Sequence, residues 1–240
     1  MNLQKYVASV SFGKDSLAML LLLIEKKYPL DEVIFFDWGM EFQCIYDLRD
    51  KIKPLLEEKG IKFVEVHSSS SFEEIMYEKP VKHKDGTTSN GYGWCGGKCR
   101  WGTRAKTLRI KKYLNNAHPY GYYEYIGIAA DELDRINNKQ NEGKLMPLVE
   151  WGMTEKDCLD YCHQQGYFWN EGEIELYQIL KRVSCWCCAN KNLKELRAYY
   201  DFLPQYWSKL KEMQNKTTIP FYRNKETVEE IEKRFYEEEW

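Results

Sequence analysis

The chain has 240 residues, 43% of them apolar and 30% charged, enough to bury a full core as one large domain or as one domain with an appendage. Thirty-five Lys and Arg stand against 37 Asp and Glu, so no global field argues for nucleic acid or a membrane surface. The longest apolar run, Leu17 to Ile24, is far too short to span a bilayer, and a core strand begins within a few residues of Met1, so neither a spanning helix nor a signal peptide is expected.

The first unit is Tyr6 to Ile24: a short β-branched run, a tight turn from Ser11 to Ser16, and a strongly apolar helix. Such a strand, turn and helix gather backbone N–H groups and a helix N-terminus at one point, an anion site with Lys14 beside it. Val33 to Phe36 reads as a central parallel strand ending at Asp37. A second helix is expected from Ile45 to Lys59, broken or entered late at Pro54 and closed by Gly60, followed by a third strand from Ile61 to Val66. These units predict an α/β fold, an open doubly wound parallel sheet of about five strands with ligands beyond the strands' carboxyl ends.

From His67 to Gly102 the periodicity disappears, which predicts a long functional loop carrying Cys95 and Cys99. A helix with a basic face is expected over Thr103–Leu114, a fourth strand over Tyr123–Ala129 and a fifth over Lys144–Val149. Thr154 with Asp157 three positions on predicts a capped helix ending at Gly166. An aromatic, irregular stretch then leads to Cys185-Trp186-Cys187-Cys188. Helix resumes from Leu193 with Tyr199, Tyr200, Phe202, Tyr206 and Trp207, expected to pack on the sheet domain or on a second subunit, which leaves a homo-oligomer open. The expected division is residues 1–150 for nucleotide binding and 151–240 for a helical, Cys-rich region, with a soft boundary.

Charge is unevenly spread. Lys98 to Lys112 holds seven basic residues and no acidic one, and with Tyr92, Trp94 and Trp101 it could contact nucleic acid or close over a nucleotide. Glu226 to Trp240 holds seven Glu against Lys233 and Arg234, and reads as a solvated helical face. Eight cysteines in the reducing cytosol expected here imply metal ligands, reactive thiols or buried small apolar residues rather than disulfides. Two close groups distant in sequence, Cys95 with Cys99 and Cys185 to Cys188, are how four thiolates reach one tetrahedral metal or one cubane cluster. Cys44, Cys158 and Cys162 read as packed or surface thiols, and His67 and His83 as structural histidines.

The Ser11–Ser16 turn is not a Walker A loop: Ala8 stands where that motif needs Gly, and Lys14-Asp15-Ser16 breaks its order. Its expected roles follow from chemistry: Gly13 to approach an oxyanion at positive φ, Lys14 to carry charge to phosphate, Ser11 and Ser16 to donate, Asp15 to order the turn or help hold Mg²⁺. The turn resembles the PP-loop, S-x-G-x-D-S, of the adenine nucleotide α-hydrolase superfamily.

Other segments narrow the resemblance. Phe36-Asp37-Trp38-Gly39-Met40-Glu41-Phe42, Gly127-Ile128-Ala129-Ala130-Asp131-Glu132 with Arg135, Met146-Pro147-Leu148 to Trp151 with Thr154 and Asp157, and Val183 to Cys188 are similar, in order, to landmarks of the phosphoadenosine phosphosulfate (PAPS) reductase family. Ala129 or Ala130 stands where that family usually has Arg, and no cysteine follows Cys188, whereas its reductases end in a segment whose cysteine attacks the sulfate sulfur. The resemblance therefore implies an ATP-using enzyme that cleaves between the α and β phosphates, with Mg²⁺, and adenylates an acceptor, expected to insert sulfur into a nucleic acid or small molecule rather than to reduce sulfate. It implies nucleotide binding by Ser11, Phe12, Gly13, Lys14, Asp15, Ser16, Asp37, Gly39, Asp131 and Arg135, with Lys14, Asp15, Asp37 and Arg135 as the catalytic set. It implies ligands Cys95, Cys99, Cys185 and Cys188, with Cys187 in reserve, for a [4Fe-4S] cluster ahead of Zn²⁺. A sulfonucleotide reductase, a sulfate adenylyltransferase-like subunit and a non-catalytic nucleotide or nucleic-acid binding module remain the alternatives. The sulfur donor or acceptor is unspecified.

Overall fold

A computed structural model describes residues 4–94, 99, 104–139, 143–222 and 225–238. In chain order the elements begin with β1 (Lys5–Ser9), α1 (Lys14–Glu25), β2 (Glu32–Asp37), α2 (Gln43–Glu58) and β3 (Lys62–His67). A π-helical turn over Glu74–Glu78 and the strands β4 (Pro80–Lys82) and β5 (Thr88–Asn90) follow, then α3 (Ala105–Ala117), β6 (Tyr122–Ile126), α4 (Leu133–Lys139) and β7 (Lys144–Leu145). The chain continues with α5 (Pro147–Glu150), α6 (Glu155–Gln164), β8 (Asn170–Glu171), β9 (Ile174–Glu175), α7 (Leu176–Ile179), α8 (Leu193–Phe202), α9 (Pro204–Gln214) and α10 (Val228–Glu237).

Two compact units divide these elements discontinuously, against an expected change near residue 150. The first comprises Met1–Asp37, Gln43–His67 and Leu108–Trp169; the second comprises Trp38–Phe42, Ser68–Thr107 and Asn170–Trp240. The first unit holds a five-stranded parallel sheet in the order β3-β2-β1-β6-β7, the doubly wound α/β class expected. Strand order reverses between β1 and β6, so the topological switch lies at the carboxyl end of β1, where the Ser11–Ser16 turn begins. Residues 32–36 of β2 are all buried, as a strand covered on both faces requires. Helix α1 is apolar nearly all round, with Leu17, Ala18, Met19, Leu20 and Leu23 fully buried, and this fixes its first turn against the sheet. Buried Glu124 ties three strands: it accepts from Ser9 Oγ at 2.7 Å and pairs with Lys144 at 3.0 Å.

Three expectations about elements need correction. Pro54 neither breaks nor starts α2, because Cys44, Ile45, Leu48, Ile52 and Leu56 bury one continuous face that outweighs one lost hydrogen bond. Gly60 does close it, at φ +67°, with Gly60 N bonded to Glu57 O and Ile61 N to Leu56 O. The fifth strand is only Lys144–Leu145, since Pro147 opens a helical turn at its preferred first position. The stretch after His67 is not a structureless loop: β4 and β5 form an antiparallel hairpin whose turn is held by Asp85, which accepts from Thr87 N at 3.0 Å.

The second unit carries α8, α9 and α10, which pack aromatics on one another: Tyr200 and Phe235 both meet Trp207, and Phe42 meets Tyr199 and Tyr206. Helix α10 buries Val228, Ile231 and Phe235, with Thr227 and Glu230 closing a capping box, and its Glu232 faces α9, accepting from Trp207 Nε1 at 3.0 Å and pairing with Lys211 at 2.6 Å, so the acidic stretch is not wholly a solvated face. No helix among the described residues is long and apolar enough to cross a membrane.

Candidate functional site

At the switch point, Gly13 is the N-cap of α1 and brings no side-chain acceptor, so no side chain caps the first turn. An uncapped helix N-terminus at this place attracts an anion through its amides and dipole. Gly13 is extended, with φ −73° and ψ 162°, and the residue at positive φ is Phe12, at 56°. The expected left-handed glycine is thus displaced by one residue. Phe12 tolerates the strained backbone because its ring is fully buried, 5.3 Å from the ring of Phe35, and because Trp169 Nε1 donates to its carbonyl at 2.7 Å. Ser16 Oγ accepts from Ser11 N at 3.1 Å and donates to Gly13 O at 3.1 Å, so the two serines brace the turn.

Lys14 is buried and its Nζ lies 2.8 Å from both Asp15 and Glu155, the first residue of α6. Burial works to lower the Lys14 pKa, but the two carboxylates outweigh it and hold the ammonium above its ordinary value. Burial raises the Asp15 carboxyl, with Lys14 opposing and Glu155 and Glu132 adding to the rise. Gly127, directly after β6, abuts this turn: a Cβ there would stand 2.7 Å from Ser16 Cα and 2.8 Å from Ser16 N. Only glycine lets β6 and the first turn of α1 approach so closely.

Around the same sheet edge, Asp37 accepts from Tyr46 OH at 2.8 Å, and Glu65 pairs with Arg49 at 3.2 Å. Asp37, Glu65 and His67 each offer a ligand atom, all within 4.8 Å of one another. Asp131 caps α6, accepting from Glu155 N at 3.0 Å, and Arg135, half exposed, is held by Glu132 at 2.6 Å. Cys158 and Cys162 are buried beneath α1, where the Cys162 thiol donates to Lys14 O at 3.5 Å. Burial pushes the Cys158 thiol up to about 12. Both therefore pack rather than react.

The second unit contains the other constellation. Cys185, Cys187 and Cys188 lie on one turn, with Cys188 N bonded to Cys185 O at 3.1 Å, and Trp186 N bonded to Met40 O of the short segment Trp38–Phe42. Burial raises the Cys185 and Cys187 thiols well above the ordinary range, and Glu41 and the neighbouring sulfurs, Cys99 among them, add to it. Cys185 Sγ is 3.7 Å from Glu41 Oε1. Lys191, one turn later, is 4% exposed, and its Nζ has no hydrogen-bond partner among the described residues. Cys95 lies outside the described residues. Gly39, at φ +75°, belongs to this unit.

A family model of the phosphoadenosine phosphosulfate reductase domain matches residues 5–189. The chain belongs to this enzyme family. It is 23% identical over 195 residues to the adenosine 5'-phosphosulfate reductase of Staphylococcus epidermidis, covering 75% of this chain and 69% of that protein. It is 20% identical over 220 residues to uncharacterized protein MJ0066 of Methanocaldococcus jannaschii, covering 85% of this chain but only 40% of that protein's length. Among solved structures, the U34-tRNA thiolase NcsA from Methanococcus maripaludis with its [4Fe-4S] cluster overlaps 90% of this chain and 73% of its own, at TM-score 0.46 and 17% identity.

Within the family-matched stretch the structure brings together Ser11, Phe12, Gly13, Lys14, Asp15 and Ser16 in one braced turn. In the same stretch Arg135 Nη1 donates to Glu132, and Asp131 Oδ1 accepts from Glu155 N. Three residues escaped sequence reasoning: Glu155, Trp169 and Lys191. Glu155 was legible only as a helix-start acid, whereas Trp169 and Lys191 act through contacts 157 and 8 residues away along the chain.

Proposed function

We propose that the chain is an ATP-using enzyme that cleaves between the α and β phosphates, releases pyrophosphate and adenylates an acceptor destined for sulfur transfer. The carrying observation is the uncapped N-terminus of α1 at the topological switch of the sheet, with buried Lys14 beside it. The first-turn amides would bind the leaving pyrophosphate, and Lys14 would shift from Glu155 to a phosphate oxygen. Ser11 and Ser16 hold the turn so that the geometry is set before the nucleotide arrives. Asp37 and Glu65, with His67, supply a donor set suited to Mg²⁺ only through their carboxylates, and Asp37 is the member we assign to the metal or ribose. Arg135, whose Nη1 donates to Glu132 at 2.6 Å, would contact phosphate through its remaining guanidinium donors.

The cysteine cluster fits a metal centre by its donor chemistry: thiols gathered in one unit beside a buried lysine whose Nζ has no hydrogen-bond partner among the described residues, a place suited to negative charge. We assign Cys99, Cys185 and Cys188, with Cys95, as ligands of a [4Fe-4S] cluster, which when bound would supply sulfur or electron chemistry. Such a centre suits a reducing compartment, and we place the chain in the cytosol. The acceptor, nucleic acid or small molecule, rests on family analogy.

Incubating anaerobically purified protein with ATP and Mg²⁺ and quantifying AMP and pyrophosphate tests the reading. Release that vanishes in Lys14→Ala is expected; ADP and phosphate as products would overturn cleavage at the α–β bond.

A further inference from the structure

Lys191 is unusual among the cations of this chain. Its side chain is walled by aromatic rings, with Nζ 5.2 Å from the centroid of Tyr199 and 5.9 Å from that of Phe42. It is 4% exposed, and neither its Nζ nor the hydroxyl of fully buried Tyr199 finds a hydrogen-bond partner among the described residues. Burial works to lower the Lys191 pKa, and Cys188, Glu195, Cys185 and Cys187 work against it. Glu195 is already engaged, accepting from Asn192 N at 3.1 Å in the cap of α8.

A lysine ammonium offers three donors and no acceptor, and a tyrosine hydroxyl can donate as well. Two unsatisfied donors in a dry aromatic enclosure are costly unless an acceptor with negative charge completes them. Neutral thiols are weak acceptors and carry no charge, so they do not answer that need. Sulfur bound to a metal does: every cysteine ligand is a thiolate, and a four-thiolate centre carries net negative charge.

We propose that Lys191 and Tyr199 are the buried counter-charge and hydrogen-bond donor of the sulfur-ligated centre, and that they set its reduction potential and its retention. The proposal rests on the cluster reading above. Hydrogen bonds and charge near the sulfurs are among the main levers on cluster potential. A nearby cation stabilises the more negative, reduced state, so removing it must make reduction harder.

The test uses full-length protein purified without oxygen, as wild type, Lys191→Met and Tyr199→Phe. Iron and acid-labile sulfide per chain, the midpoint potential in a dithionite titration, and the rate of iron loss to a chelator are measured, together with the melting temperature of the iron-free forms. Lys191→Met is expected to make reduction at least about tenfold less favourable, about 59 mV for one electron, and to speed iron loss about tenfold. Tyr199→Phe should move both readouts in the same direction by less. Iron-free Lys191→Met should melt no lower than iron-free wild type, because it removes an uncompensated buried charge; a purely structural lysine would lower that melting point and leave the potential alone. Wild-type protein that holds no iron would sink the cluster reading and this proposal with it. Iron-loaded Lys191→Met with wild-type potential and iron retention would sink the proposal alone.

Discussion

Replacing Gly127 by Ala tests whether the close packing of β6 on α1 builds the anion site. The added Cβ would stand 2.7 Å from Ser16 Cα, 2.8 Å from Ser16 N and 3.0 Å from Asp15 C, all backbone atoms of the first turn. Ordinary carbon contacts lie at about 3.5–4.0 Å, so the turn must retreat by roughly 1 Å. Neither side can yield by rotating a side chain, which places the cost in the overpacking range, about 1–3 kcal/mol. A retreat of that size also displaces the amides that would meet phosphate, and a misplacement of about 1 Å can cost on the order of 100-fold in rate. Urea denaturation and calorimetric titration with ATP and Mg²⁺ measure the two effects on one preparation. Gly152→Ala serves as the comparison: it is at φ +67° with nothing within 4 Å, so it should cost stability through backbone strain while leaving ATP binding alone. Gly127→Ala protein with stability within about 0.5 kcal/mol of wild type and unchanged ATP affinity would refute the argument.

Glu155→Gln removes one of the two carboxylates that hold Lys14, and should tighten ATP binding about tenfold, roughly 1.4 kcal/mol, by calorimetry at low salt; weaker binding would show that Glu155 positions Lys14 rather than competing for it. Trp169→Phe leaves the buried Phe12 carbonyl without its donor and should cost about 1–3 kcal/mol in urea denaturation, a loss below about 0.5 kcal/mol being the refuting result. Burial raises the Cys158 thiol from 9.0 to about 12 and the Tyr125 hydroxyl from 10.0 to about 12. Because both folded values are raised, their contribution to stability is complete below pH 9 and is lost as pH climbs toward 12. The urea midpoint should therefore fall between pH 9 and 11, less steeply in Cys158→Ala; a flat profile in wild type would contradict this.

The strand-turn-helix at the start, the capping box at Thr154 and Asp157, and the parallel five-stranded sheet were legible because each depends on local periodicity or on a cap three residues long. The hairpin after His67 also left a local mark, Asp85-Gly86, hidden by strands of only three residues. What was not legible depends on distant partners. The left-handed residue of the turn is Phe12 rather than Gly13 because burial against Phe35 and a bond from Trp169 override the local preference for glycine. Asp131, read as a nucleotide contact, also meets the α6 N-terminus, accepting from Glu155 N at 3.0 Å, a contact made across 24 residues. Pro54 stays inside α2 because the buried face of that helix decides its length.

The placement of Lys191 bears on how far the family carries the chemistry. The family match ends at residue 189, so Lys191 and Tyr199 stand just outside it, whereas Cys185, Cys187 and Cys188 stand within. Thiols alone specify that a soft metal can bind; they say little of the charge state the bound centre prefers. That second property is set by what surrounds the sulfurs, and here the surroundings come from the cap and first turns of α8, a segment held by the Asn192–Glu195 capping box and by Tyr199 against Phe42. Any helix-disrupting change at Asn192 would move Lys191 and Tyr199 together while leaving the Cys185–Cys188 turn, which precedes the cap, in place.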